Sequence, residues 1–175
     1  IDPQAARPFQ LGIRTLPLLP NPHILERELS FLHQGKSYAL KVQLNKSHLQ
    51  MMQDYPNVSQ AQYFHLDLSE QARETLLPAL RTWLLDRNPR EQVEFLLSFV
   101  RTAFFYKDDH ASGGEERPFC AEQTLYHSYS DCEDRSALFF YLVRKLVGIP
   151  SIVIDFESHV GVAVALPDAK GDYFT

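Results

Sequence analysis

Two side chains that together can make and break acyl bonds stand in the C-terminal third of the chain, Cys132 and His159. Ser130-Asp131 ahead of the cysteine are helix-capping residues. The spacing predicts a helix from Cys132 to about Val147, stopped by Gly148 with Pro150 shortly after. A thiol in the first turn sits where backbone N–H groups and the helix dipole favour a thiolate. Asp131, Glu133 and Asp134 oppose this, because neighbouring carboxylates raise a thiol pKa. A cationic imidazole would resolve the conflict. From His159 to Leu166 the sequence alternates, with Val160, Val162, Val164 and Leu166 on one face and His159, Gly161, Ala163 and Ala165 on the other. The small second face is expected to lie close against a helix and to leave one imidazole at that contact. Cysteine with histidine is the general activated-nucleophile pair for acyl transfer, and N–H groups at the helix start can hold an oxyanion. The plain alternative for an unpaired cysteine is a small buried hydrophobe.

Other polar residues carry weaker signals. His127 is the one rival base, near Cys132 in sequence but expected on the turn before the helix. Tyr106 and Tyr129 are core or rim aromatics, or line the cleft, and Gln123 has no geometric warrant as an oxyanion donor. Cys120 reads as an ordinary hydrophobe, with pairing to Cys132 the lesser option. Asp108, Asp109, His110, Glu115 and Glu116 read as a solvated acidic loop without calcium-loop spacing. His23, His33, His48 and His65 have no nearby cysteine pair, which argues against zinc.

The elements that must position these groups are legible in part. Five of the eleven prolines fall in the first 27 residues, an extended lead-in. Leu29 to Leu44 reads as a hairpin about Gln34-Gly35-Lys36, Ser47 as the cap of a helix through Asp54, and Tyr63 to Leu68 as a strand. Ser69 caps a helix to about Leu85, with a kink or late start at Pro78. Asn88-Pro89-Arg90-Glu91 opens another, burying Val93, Leu96, Leu97 and Val100. Lys107 to Pro118 is a polar loop, and Ile152-Val153-Ile154 a buried strand. With 45% apolar and 12% aromatic residues the chain can bury a core. Its net charge of −5, without a basic stripe, argues against nucleic acid. No apolar run approaches the roughly 18 residues of a membrane span. Two cysteines are too few for a disulfide framework.

Cys132-Glu133-Asp134-Arg135-Ser136-Ala137-Leu138, the apolar helix, Gly148-Ile149-Pro150, a strand and His159 opening the next strand resemble the transglutaminase-like, papain-related superfamily. Phe104-Phe105-Tyr106 and the stretch from Glu116 to Tyr126 resemble its bacterial, envelope-associated branch. The resemblance spans residues 70–175 and implies that Cys132 is the nucleophile and His159 its base, in a Cys-His-Asp triad whose Asp ends the following strand. Ser130 stands where the family commonly has glycine, and Val160-Gly161 where a small-aromatic pair follows the histidine. Asp168 and Asp172 fall in a turn, so the triad acid is expected beyond Thr175, and catalysis by this fragment is expected to be poor.

The resulting expectation is an α+β fold. Residues 69–175 would form a papain/transglutaminase-like core, incomplete at its C-terminus, in which the Cys-bearing helix packs on an antiparallel sheet. Residues 1–68 would form an extended, β-rich segment that can belong to a neighbouring domain. The implied chemistry is hydrolysis or transamidation of an amide in a protein or peptide substrate, with no cofactor and no metal. The implied location is a bacterial periplasm or cell surface. The rival is a non-catalytic protein-interaction domain that keeps the fold.

Overall fold

The computed structural model describes residues 17, 19, 22–55, 60–107, 118–157 and 159–167. Of these, 48% are helical and 27% are in strands, a mixed α and β architecture. Most of the expected lead-in and of the loop from Lys107 to Pro118 lies outside the described residues, as do Asp168, Asp172 and the expected strand at Tyr173.

The chain opens with a hairpin, β1 (Ile24–His33) and β2 (Lys36–Asn45), turning at Gln34-Gly35, both at positive φ. Its first strand begins inside the stretch read as lead-in, directly after the last of the early prolines. Leu29, Phe31, Leu40, Val42 and Leu44 alternate inward, as a half-buried sheet requires. Helix α1 (Lys46–Asp54) is capped by Asn45 rather than Ser47: the Asn45 side chain accepts from the Ser47 and His48 N–H groups at 3.1 and 3.3 Å. A short α2 (Gln60–Tyr63) follows, and the strand expected over Tyr63–Leu68 is absent. Alternate burial there is satisfied by separate clusters instead of a ladder. Leu66 meets Met52, Tyr63 and Cys120, Phe64 meets Phe140 and Val160, and Leu68 enters the main core.

Helix α3 (Glu70–Leu84) starts at its Ser69 cap and runs through Pro78 without a break. Pro78 faces solvent, and the stripe Leu76, Leu77, Leu80 and Leu84 keeps the helix on the core despite the lost hydrogen bond. Helix α4 (Pro89–Thr102) carries the expected capping box, Asn88 and Glu91 each accepting the other's N–H at 3.0 Å. Phe95 and Phe99 join Val93, Leu96 and Val100 in the buried stripe, while Leu97 turns out to solvent. Phe31 packs edge-on to both phenylalanines and to Trp83. One buried cluster therefore joins the hairpin with α3, α4 and the later Leu138 and Leu142, spanning the two stretches read above as 1–68 and 69–175.

Strand β3 (Phe105–Tyr106) pairs in parallel with β4 (Tyr129–Ser130), on either side of α5 (Ala121–Tyr126). Helix α6 (Cys132–Leu142) passes into a π-helical turn, Val143–Val147, closed by Gly148 at φ 73°. Strands β5 (Ser151–Phe156) and β6 (His159–Val164) form an antiparallel hairpin, Asp155 opposite Val160. The run Ile152-Val153-Ile154 is only half-buried, with Ile152 63% exposed, because β5 packs on one side only.

Glu122 on α5 is buried, and its carboxylate accepts from the Asn45 N–H (3.1 Å), the Ser69 N–H (2.7 Å) and the Ser69 hydroxyl (2.7 Å). It thereby binds the end of β2 and the start of α3 to the segment leading into α6. Asp67 receives Lys145 Nζ at 2.9 Å and the Tyr141 hydroxyl at 2.7 Å. Burial alone would raise its carboxyl, but these donors outweigh it and hold the pKa below the usual carboxylate value.

Glu122→Ala should cost about 3–5 kcal/mol of unfolding free energy and Glu122→Gln about 1–3 kcal/mol, measured by urea denaturation, because buried donors lose their acceptor. The depressed Asp67 pKa gives stability that is present above its unfolded value of about 4 and lost as pH falls through the lower folded value. Asp67→Asn should therefore flatten the acid limb of the stability curve below about pH 4 and lower stability at pH 7.

Candidate functional site

The start of α6 is held by carboxylates on both sides. Asp131 Oδ1 accepts the Asp134 N–H at 3.1 Å, and Asp134 Oδ2 accepts the Asp131 N–H at 3.3 Å. Asp134 Oδ1 also accepts the Phe119 N–H at 2.7 Å, tying the helix start to the approach to α5. From the next position Arg135 donates to Ser130 Oγ (3.0 Å) and to the Phe104 carbonyl (2.9 Å), its guanidinium over the Tyr106 ring. These bonds fix β3, β4 and the first turn of α6 as one unit, with Cys132 as its first helical residue.

The Cys132 thiol is half-buried and in no disulfide. Burial pushes its pKa up. The Val160 backbone N–H directed at the sulfur pulls the other way, the Glu133 and Asp131 carboxylates raise the pKa further, and the net result is a thiol above its usual value. The helix start alone does not produce a thiolate here.

His159 opens β6 as expected, but the packing of that strand is the reverse of the expectation. Val160, 3% exposed, sits among Phe64, Ala137 and Phe140, so it is the valine face that meets α6. Branched side chains fill the space over Phe140 and bury more apolar area than Gly161 and Ala163 could. His159 consequently faces solvent, stacked on Phe156 with ring centroids 6.5 Å apart. Among the described residues no hydrogen bond joins its imidazole to Cys132. What joins their elements is a backbone contact one turn along α6 from Cys132, where the carbonyl of the residue after His159 accepts from Ser136 Oγ at 3.0 Å.

The rival base His127 ends α5 within an aromatic group, stacked on Phe119 at 4.3 Å and beside Tyr126 and Tyr129. Burial, then the nearby Arg27 guanidinium, lower its pKa. Arg27 binds the Leu125 and His127 carbonyls at 2.7 and 2.6 Å. No hydrogen bond links His127 to Cys132 among the described residues. Gln123 is used locally, its Oε1 accepting the Cys120 N–H at 3.1 Å. Cys120 is buried, which pushes its thiol up to about 12. The acidic loop at Asp108 lies outside the described residues. Among those described, no three His, Cys, Asp or Glu side chains cluster as a metal site would need, and no helix is long and apolar enough to cross a membrane.

Sequence reading did not single out Ser136 or the Val160 backbone. The available signal was position: Ser136 stands one helical turn after Cys132, on the same face. Comparisons of the chain with protein-family models, with curated proteins and with solved structures found no match.

Cys132 should alkylate with iodoacetamide before Cys120, with a midpoint above the ordinary thiol value of about 8.5. Glu133→Gln removes a carboxylate that raises the thiol and should increase the Cys132 rate at pH 8 about twofold to fivefold, read by mass spectrometry.

Proposed function

We propose that this chain carries the nucleophile and the base of a transglutaminase-like acyl-transfer site with a papain-like core, Cys132 acting through its thiol and His159 through its imidazole. The observation that carries this reading is the packing of the strand that His159 opens on the thiol-bearing helix α6, made through the Val160 side chain and its carbonyl one turn along from Cys132. The order of helix, Gly-Ile-Pro turn, strand and histidine-bearing strand supports it.

In the reaction, His159 rotates from Phe156 toward the sulfur and takes the thiol proton as Cys132 Sγ attacks an amide carbonyl carbon. The S–C bond forms, the C–N bond breaks, and the imidazolium returns the proton to the departing amine. Water or a second amine then resolves the thioester. N–H groups at the start of α6 face the developing oxyanion. Protein or peptide amides are the proposed substrates, and a bacterial periplasm or cell surface the proposed setting. The raised thiol pKa and the solvent-facing His159 favour a second reading, a non-catalytic protein-interaction domain with the same fold.

An activated ester tests the pair without demanding a complete triad, since its leaving group departs unprotonated. With p-nitrophenyl acetate at pH 7, peptide mapping should find acetyl on Cys132, and Cys132→Ala should remove it. His159→Ala should slow acylation about tenfold or more, and glycine ethyl ester as acceptor separates transfer from hydrolysis. Acylation no faster than at an ordinary exposed thiol, and indifferent to His159→Ala, would establish the second reading.

A further inference from the structure

Hydroxyl side chains on the helices of this protein mostly turn back on their own backbone. Thr75, Thr82 and Ser98 donate to the carbonyl four residues earlier, the usual local solution inside a helix, and Thr102 and Thr124 share their proton between that carbonyl and one on another element. Ser136 does not. It is buried at 8% exposure in the middle of α6, and its Oγ donates across to the Val160 carbonyl of β6 at 3.0 Å. That bond lies one turn along α6 from Cys132 and falls on the residue next to His159. The Val160 side chain is locked at the same place between Ala137 and Phe140. The strand thus has a fixed point beside a histidine whose ring is exposed and stacked only on Phe156.

We infer that Ser136 is a positioning residue: its hydroxyl pins the backbone of β6 to α6, so that His159 pivots from a fixed point when it swings to the Cys132 thiol. This rests on the acyl-transfer reading, in which the imidazole must travel while its strand does not. Loss of the hydroxyl leaves a buried carbonyl unpaired and lets the strand slide along the helix, and an imidazole misplaced by about 1 Å forfeits much of its rate advantage.

A double-mutant cycle on Cys132 acylation by p-nitrophenyl acetate at pH 7 decides the matter. Ser136→Ala should slow acylation about tenfold, Ser136→Thr should restore it to within about twofold, and Ser136→Ala combined with His159→Ala should be no slower than His159→Ala alone. A purely structural serine would add its own factor in the double variant. Full additivity, or a Ser136→Ala rate equal to the starting one while His159→Ala is slow, overturns the positioning role and leaves the base assignment standing. No effect of His159→Ala removes the base assignment and the positioning role together. Cys120 reports on folding, since it reacts only when the core opens. Where Ser136→Ala exposes it, Ser136→Thr against Ser136→Val, equal in volume and different in the hydroxyl, takes its place with the same expected outcomes.

Discussion

A buried carboxylate must find donors or be neutralised, and Glu122 meets this demand with three from two distant segments. The end of the first hairpin and the cap of α3 are therefore fixed to α5. Helix α5 is fixed in turn to α6, because the Phe119 N–H that precedes it ends on Asp134 and the Thr124 hydroxyl on the Asp134 carbonyl. The position of Cys132 is inherited through this chain of polar contacts from residues far away in sequence. The apolar cluster binds the same elements from the other side, Leu44 and Leu76 sharing it with Leu125 and Leu138. Apolar burial is non-directional and sets no register; the carboxylate bonds do.

What the sequence disclosed follows the range of the forces involved. Caps act over three or four residues, so Ser69, Asn88 and Asp131 were readable as helix starts, and Gly148 as a stop. Asn45 displaced Ser47 because a strand-ending asparagine already meets the same N–H groups. Tyr63–Leu68 was legible as an apolar stretch and His159–Leu166 as two alternating faces, but neither pattern names a partner. The first stretch found three clusters and no ladder, and the second turned its valines, not its small residues, to the helix. The positions of Cys132 and His159 on their elements were legible; the direction of the imidazole was not, since it depends on packing over Phe140.

Electrostatics at the start of α6 is a competition for few donors. A helix N-terminus favours a negative charge by about 0.3–1 kcal/mol within its first turn. Here two carboxylates arrive first. Asp131 takes the Asp134 N–H, and Asp134 takes N–H groups from Asp131 and Phe119. The capping box that fixes the helix start takes the Asp134 N–H, and Glu133 and Asp131 add repulsion that the Cys132 N–H only partly offsets. The raised thiol results first from burial and then from the acids that stabilise the helix.

Further stabilisation for a sulfur anion comes from outside the helix, and there the contribution nearest to hand is the Val160 N–H. That group is useful only while β6 stays against α6, a contact made by the valine face of the strand, with Val160 among Ala137 and Phe140, and by the Ser136 hydroxyl. The hairpin is two-stranded and half-buried, with Ile152 and Phe156 largely exposed, and Val160, Val162 and Val164 hold its second strand on the core. The reactivity of Cys132 is thus set by burial and by the acids of its own helix together with how firmly the next two strands lie on it.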